Sequence, residues 1–337
     1  MSNLTLVTGA TGFIGSHLTR LLLEKGEKIR IFLRNPVKLK VFGLHEKDNL
    51  EVFKGDLLKP EDIPAALDGV DRLYHTAGFI STYPKDKKKV QRLNVDITTN
   101  LFETCGKIEL KKIVYLASIF ALGGGNREPV DEDTSYNLDG LNITYARAKR
   151  SSELYIRDKI REGLPIVRIY PCYCYGPGDL NNSNTRLLLT YLDRKLPGYI
   201  HGGQNVMDVR DAARGLYLGM TKGKIGEKYI VGGMNLSYDD IFSLLEGITG
   251  YPKPRIRMSK RTGKFMGYLN QMVSLSPIID KDAAELMGHF WYYDDTKARK
   301  ELGYSSRPVA DTLREAVQWF CSRGIAPWPP GMDKSRS

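Results

Sequence analysis

The alternation of apolar and polar positions changes character about midway along this chain. In the first half, short runs of strand type alternate with helical patterns. Leu4-Thr5-Leu6-Val7 reads as a fully buried strand. After a glycine-rich turn, Ile14, Leu18, Leu21 and Leu22 fall at i, i+4, i+7 and i+8, one face of a helix. Lys28 to Leu33, Leu50 to Lys54, Arg72 to His75 and Ile113 to Leu116 read as further strands. Leu93, Ile97 and Leu101 mark a long helix, Tyr145 to Ile160 another, and Pro165 to Ile169 a sixth strand. Strand, helix and strand repeated in this order predict an α/β fold of right-handed βαβ units, with helices on both faces of a parallel sheet.

Beyond about Pro177 the rhythm breaks. Asn181 to Asn184 and Gly198 to Gly203 read as loops, Val209 to Met220 and Ile241 to Ile248 as helices, and Tyr229 to Val231 as a short strand. Residues 264 to 293 carry Phe265, Met266, Met272, Met287, Phe290 and Trp291, which read as core or lid helices. As a lid they would roof an apolar pocket or touch a membrane surface. Leu313, Ala316, Val317 and Phe320 mark a closing amphipathic helix, and Pro327-Trp328-Pro329-Pro330-Gly331 opens a flexible tail. The expected division is a cofactor domain of 1–177 with about 206–235, a smaller substrate domain of about 178–205 and 236–325, and a tail of 326–337.

A length of 337 residues suits roughly two domains, and 42% apolar residues exclude a wholly disordered chain. Fifty Lys and Arg against 39 Asp and Glu give a net charge of +11, which points to an anionic partner. No run approaches about 18 apolar residues, so no membrane-spanning helix is expected. The start, MSNLTLVTGA, does not read as a secretory signal. Cys105, Cys172, Cys174 and Cys321 lack zinc-site spacing and read as free thiols of a cytoplasmic protein. Lys87-Lys88-Lys89 reads as a solvated helix start, and no basic helix with groove-reading residues suggests a nucleic-acid partner.

Chemistry enters at Thr8-Gly9-Ala10-Thr11-Gly12-Phe13-Ile14-Gly15, a G-x-x-G-x-x-G turn between the first strand and the first helix. There the glycines allow close backbone approach, and the helix N-terminus offers N–H groups to a pyrophosphate. The second strand ends Phe32-Leu33-Arg34, without the carboxylate that would hold ribose hydroxyls and repel a 2′-phosphate. Arg34, with Lys38 as a weaker candidate, therefore favours NADP(H), with NAD(H) as the alternative. The competing reading of Arg34 is a solvated charge at a strand end. Asp56, in Gly55-Asp56-Leu57, is placed either to accept from an adenine amino group or to cap a turn.

Tyr145 and Lys149, at i and i+4, share a helix face, where a lysine cation would lower the phenol pKa toward proton transfer. The spacing occurs five times, at Tyr83, Tyr145, Tyr155, Tyr191 and Tyr293. Only Tyr145 opens the helix that follows the fifth strand, with Ser118 at that strand's end, 27 residues upstream. There the Ser118 hydroxyl would hold a carbonyl oxygen beside the phenol.

Together these residues resemble the extended short-chain dehydrogenase/reductase family over nearly the whole chain. The likeness takes in the glycine turn, Asp56, His75-Thr76-Ala77-Gly78, Asn94-Val95, Ser118, Tyr145-x-x-x-Lys149, Pro171-x-x-x-Tyr175-Gly176-Pro177-Gly178-Asp179, Asp208-Val209-Arg210-Asp211 and Lys297 to Tyr304. The resemblance implies a Rossmann doubly wound sheet, a nicotinamide cofactor, chemistry at an alcohol carbon and a homodimer through two helices. It also implies cofactor contacts from Thr11, Phe13, Ile14, Leu57, Thr76, Ala77, Gly78 and Asn94, with Lys149 at the nicotinamide ribose and Pro171 by the nicotinamide. His75 would pack beside the cofactor.

Two departures separate this chain from the nucleotide-sugar epimerases and dehydratases. Tyr173 stands where they usually carry an asparagine, and Gln204-Asn205-Val206-Met207-Asp208 lacks their arginine. A buried diphosphate needs such groups. The pattern is closer to the dihydroflavonol-reductase-like branch and the hopanoid-associated epimerase-like proteins named from it. The expected activity is hydride transfer between NADP(H) and a carbonyl or secondary alcohol of a small, largely apolar substrate. Tyr145 would be the proton donor, Ser118 would orient the oxygen and Lys149 would support Tyr145. Phe79, Ile80, Tyr173 and Tyr175 would line the pocket. The alternatives are an NAD-dependent nucleotide-sugar epimerase or dehydratase and a cofactor-sensing protein without catalysis.

Overall fold

The computed structural model describes residues 4–36, 39, 44, 48–124, 127–180, 185–196, 198–273 and 281–334, with only the backbone of 269–273 and 281. Its centre is a parallel sheet of seven strands: β1 (Leu4–Thr8), β2 (Lys28–Leu33), β3 (Leu50–Lys54), β4 (Arg72–His75), β5 (Lys112–Leu116), β6 (Ile166–Pro171) and, late in the chain, β10 (Lys228–Val231). The spatial order is β3-β2-β1-β4-β5-β6-β10, so the winding reverses between β1 and β4. That reversal opens a crevice at the C-terminal strand ends, where ligands bind in such sheets. Every residue of β1 and of β6 is buried, as their unbroken apolar character predicts for strands covered on both faces. The fold is the doubly wound α/β type expected from the sequence.

The helix Phe13–Glu24 and the helix Val209–Thr221 pack together on one face of the sheet. Asp208 caps the latter by accepting from the Arg210 N–H, and its carboxylate also takes the Arg210 guanidinium and the Thr312 hydroxyl at 3.1 Å. The Thr312 contact ties this helix to the closing helix Val309–Ser322. On the other face, the helix Thr144–Arg161 is anchored to β6 by a buried ion pair, Arg168 Nη1 to Glu153 Oε1 at 2.8 Å. Arg168 Nη2 also donates to the Gly226 carbonyl at 2.8 Å.

A second core forms from Leu188, Tyr199, Val206, Phe242, Leu313, Phe320 and their neighbours. Gly198 to Gly203, read as a loop, contains β8 (Gly198–Ile200) and the start of β9 (Gly203–Asp208). Both strands pair with distant partners. β8 lies parallel to β12 (Ile256–Met258), while β9 pairs with β7 (Tyr173–Tyr175), β11 (Met234–Ser237) and β13 (Phe290–Trp291). Asn181 to Asn184 lie outside the described residues. The helix Tyr238–Thr249 begins with a Ser237/Asp240 capping box and ends at Gly250.

The tail needs correction in its described part. Trp328 and Met332 pack against the second core, and the Gly331 N–H donates to the Thr249 carbonyl at 2.8 Å. Prolines suggested an unanchored end, but they also cost little entropy to order, and the tryptophan supplies the apolar area that holds the segment.

Removing one partner of a buried pair leaves the other charge uncompensated, at about 3–5 kcal/mol. Glu153→Gln should therefore lower the unfolding free energy by roughly that amount, read from urea midpoints. The double change Glu153→Met/Arg168→Met should cost less than the sum of its single changes. A Glu153→Gln protein within about 0.5 kcal/mol of wild type would show that the pair does not anchor the helix.

Candidate active site

The site begins where β1 runs into the glycine turn. Gly9 has φ +74°, and a Cβ there would stand 2.5 Å from the Ala77 nitrogen. A Cβ on Gly15 would meet the Gly9 carbonyl oxygen at 2.1 Å. The turn is closed by Gly12 N–H to the Gly9 carbonyl at 2.8 Å, and Thr76 Oγ1 donates to the Thr8 carbonyl at 2.6 Å. Gly12 caps the helix Phe13–Glu24 without any side-chain bond, and no acid stands in its first turn. Its leading N–H groups therefore face the crevice without side-chain partners, the arrangement that takes an anion. Thr11, Phe13 and Ile14 are half-buried around this turn, against Thr76, Ala77 and Gly78 after β4.

The neighbouring strands deliver their ends to the same edge. Thr8 is in register with Phe32, so Arg34, two residues further on, emerges beside the glycine turn, exposed and without a partner among the described residues. Lys38 lies outside the described residues. Asp56 follows β3, half-buried, with Oδ1 accepting from Leu58 N–H at 3.0 Å. This is the turn-capping arrangement. Leu57 is buried, and its carbonyl accepts from Asn100 at 2.9 Å.

Ser118 follows β5 and caps the 3₁₀ turn Ile119–Ala121, accepting from Phe120 N–H at 3.3 Å. Tyr145 stands in the first turn of the helix Thr144–Arg161, its hydroxyl hydrogen-bonded to Ser118. Burial pushes the Tyr145 phenol up to about 12, against the smaller lowering effect of Ser118. Here the expectation of a phenol lowered by Lys149 is corrected: exclusion from water disfavours the phenolate more than the neighbours favour it. Lys149 is buried too, and burial brings its ammonium down to about 8. Its Nζ lies 3.5 Å from the point where a Cβ on Gly78 would stand.

His75 is held neutral, at about 3, by burial first and by the Lys149 charge second. Its Nδ1 pairs with Thr8 Oγ1 at 2.8 Å and its Nε2 with Thr98 Oγ1 at 3.2 Å. Asn94 lies in a π-helical turn, Arg92–Asp96. Its amide donates to the Phe79 and Val90 carbonyls, both at 2.8 Å, and accepts from Phe79 N–H at 3.3 Å. The side chain expected at a cofactor thus has both amide hydrogens committed to backbone, and it holds Gly78–Phe79 in place.

An aromatic wall backs Tyr145. Phe120 stands 5.8 Å from the Tyr145 ring, 6.2 Å from Tyr173 and 4.9 Å from Trp291, centroid to centroid. Tyr293 donates to the Gly123 carbonyl at 2.8 Å and closes the wall. Phe120 and Tyr293 were missed by sequence reasoning, although Phe120 follows Ser118 by two residues and could have been named. Tyr173 is half-buried, Tyr175 is buried with its oxygen accepting from Gln204 Nε2, and Pro171 is buried at the end of β6. Phe79 is half-buried beneath the Lys89 ammonium at 4.0 Å, and Ile80 is exposed. The expected roof is only partly formed. Trp291 joins the wall, whereas Phe265 and Met266 face solvent and the Met272 side chain lies outside the described residues.

A doubly wound sheet with a bare glycine turn at its reversal point is the architecture of a dinucleotide-binding α/β enzyme. The sequence model for the NAD dependent epimerase/dehydratase family matches residues 5–232, and the chain belongs to that family, as an enzyme of the extended short-chain dehydrogenase/reductase type. A Synechocystis sp. protein provisionally named dihydroflavonol 4-reductase is 30% identical, over 96% of each chain. Sterol demethylase protein B of Methylococcus capsulatus is 29% identical over 95% of this chain and 99% of its own. Among solved structures, that of gox2253 is 30% identical, covers 96% of this chain and 99% of that one, and superposes with a TM-score of 0.84. Among the described residues no helix is long and apolar enough to cross a membrane.

The lowered Lys149 pKa has a consequence for stability. Between about 8 and 10.5 the unfolded chain keeps a proton that the folded one has lost, so raising pH through this window favours the fold. Lys149→Met should be more stable than wild type at neutral pH. That advantage should shrink by about 3 kcal/mol toward pH 10.5, measured by urea unfolding of both proteins in parallel. A constant gap across the window would mean that Lys149 is not desolvated.

Proposed function

We propose that this protein is an NADP(H)-dependent reductase acting on a carbonyl of a small, largely apolar substrate. The observation that carries the reading is the aromatic wall of Phe120, Tyr173 and Trp291 against Tyr145. It offers apolar surface, not cations, at the reacting position. Gln204, at the place of a diphosphate-gripping arginine, is buried with its amide bonded to Tyr175. A nucleotide-sugar diphosphate would find little there to replace its hydration.

The glycine turn fits a dinucleotide, since a Cβ on Gly9 or Gly15 would fill the cradle. Backbone N–H groups from Phe13 to Gly15 would hold the pyrophosphate, and Arg34 the 2′-phosphate. Asp56 and Leu57 would lie at the adenine, Thr76 to Gly78 along the cofactor, Lys149 at the nicotinamide ribose and Pro171 by the nicotinamide. When bound, a nicotinamide cofactor supplies the hydride. Ser118 orients the substrate oxygen and Tyr145 donates the proton to it. A buried phenol near 12 keeps its proton at neutral pH, which suits a donor. The aromatic wall excludes water, and Lys149 supplies positive charge beneath the reacting groups. Residues of the second core, within 178–205 and 236–325, would enclose the rest of the substrate.

Tyr145→Phe should bind NADPH as wild type does but lose at least about 100-fold in turnover of its carbonyl substrate. Unchanged turnover would refute the assignment. Arg34→Gln should weaken NADPH binding by about 10- to 100-fold and leave NADH binding within about twofold, as loss of a charged hydrogen bond predicts. Equal losses for the two cofactors would remove Arg34 from the 2′-phosphate. Tightly copurifying NAD with no net NADPH consumption would overturn the reductase reading in favour of an epimerase.

A further inference from the structure

Segment 253–279 holds six cations, Lys253, Arg255, Arg257, Lys260, Arg261 and Lys264, and no acid. The strand β12 and the helix Lys260–Val273 that follow from it are built inside out. Among the described residues of the helix, Gly263 and Gly267 are the buried ones, and a Cβ on Gly263 would stand 2.2 Å from Ile200 Cδ1. Large apolar side chains on these two elements are exposed. Phe265 is 63% exposed, Tyr268 50% and Met266 40%, with Ile256 of β12 at 58%. Arg261, Phe265 and Tyr268 fall at i, i+4 and i+7, so a cation and two aromatics share one stripe. Amphipathic helices of soluble cores show the opposite polarity.

We propose that this face, β12 with Arg261, Phe265, Met266 and Tyr268 of the helix that follows, docks on an anionic phospholipid surface. Three observations select that partner. First, Asp239 and Glu285 are the carboxylates these cations reach: Lys253 and Arg257 pair with Asp239, and Lys260 and Lys264 with Glu285. Arg255 and Arg261 are exposed without a partner among the described residues, so the patch carries net positive charge. Second, a two-fold contact with another copy would set this cationic face against itself, which like-charge repulsion opposes. Third, phosphate recognition alone does not call for exposed Phe265, Met266 and Ile256. Apolar side chains that enter the headgroup boundary, beneath cations that meet lipid phosphates, are the interfacial pattern.

The face is also continuous with the candidate site. Lys260 Nζ lies 2.6 Å from His289 Nε2, the His289 ring is 5.4 Å from Trp291, and Trp291 stacks edge-on against Phe120. A docked bilayer would lie on the outer side of the wall whose inner side meets Tyr145. The docking surface does not depend on the reductase reading.

The test is co-sedimentation of the full chain with vesicles of phosphatidylcholine alone and of phosphatidylcholine with about 30% phosphatidylglycerol. Wild type should pellet with the anionic vesicles only, and raising salt from about 0.1 to 0.5 M should reduce binding at least tenfold. Phe265→Ser/Tyr268→Ser and, separately, Arg255→Gln/Arg261→Gln should each lose at least about tenfold in binding. Their melting temperatures and NADPH affinity should be unchanged, because these side chains touch neither core nor glycine turn. Wild type remaining in solution with anionic vesicles would overturn the proposal. So would a Phe265→Ser/Tyr268→Ser protein that pellets normally, or one that changes from dimer to monomer in sedimentation with vesicle binding intact.

Discussion

The structure depends on one close approach: the backbone of Gly9 lies against Thr76 and Ala77, with no room for a side chain between them. This contact joins the ends of β1 and β4 across the point where the sheet winding reverses. Because both partners are main chain, the crevice floor is made of backbone groups at fixed positions. Polar donors there need no side-chain ordering when a ligand arrives, which reduces the entropic cost of binding. Thr76 locks the arrangement by donating to the Thr8 carbonyl, and His75 extends it through Thr8 Oγ1. The same short segment, 75 to 79, then passes Lys149 and Asn94. The glycine turn and the cluster of Lys149, Asn94 and Gly78 are therefore built on one strand exit.

Burial sets the electrostatics at the reacting end. Lys149, Tyr145 and His75 are all withdrawn from water, and each is pushed toward its neutral form. His75 yields completely, with both nitrogens satisfied by threonine hydroxyls. Lys149 yields in part, and its remaining charge further discourages a proton on His75. Among the described residues this leaves Lys149 as the cation beside Tyr145 and His75. A developing negative charge on a substrate oxygen would be felt strongly there, because little water is present to screen it. The helix that carries Tyr145 and Lys149 is held by the buried Glu153–Arg168 pair, Glu153 lying four residues beyond Lys149. Anchoring charge and reacting charge are thereby kept on separate parts of the same helix.

Much of this was legible in the chain because its determinants are local. The alternation of β1 to β6 with helices, the glycine turn and the i, i+4 pair of Tyr145 and Lys149 all follow from neighbours in sequence. What was not legible depends on distant partners. Gly198 to Gly203 carries no strand pattern of its own, and it becomes strand by pairing with Ile256–Met258, Met234–Ser237 and Phe290–Trp291. Trp328 holds the end of the chain only because the second core presents a surface to it. The Tyr145 pKa was misjudged for the same reason. The lysine was visible as a neighbour, but the desolvation that outweighs it comes from Phe120, Tyr173 and other side chains brought in by the fold. Asn94 was found by likeness, yet its bonds to Phe79 and Val90 could only be seen in three dimensions.

The basic balance of the chain separates into unlike parts. Several cations are tied internally: Arg168 to Glu153, Arg210 to Asp208 and Glu315, and Arg307 to Asp211. These pairs hold helices and strands together and add nothing to the outward field. Arg34 stands alone at the end of β2, beside the glycine turn, where a single cation matters because the helix N-terminus already favours an anion. The six cations from Lys253 to Lys264 form a basic stretch with no acid within it, and four of them pair with Asp239 or Glu285. Unpaired cations thus stand at two separate places among the described residues, Arg34 beside the glycine turn and Arg255 just before β12 with Arg261 on the helix after it, and the excess charge that faces outward comes from such groups and not from the internal pairs.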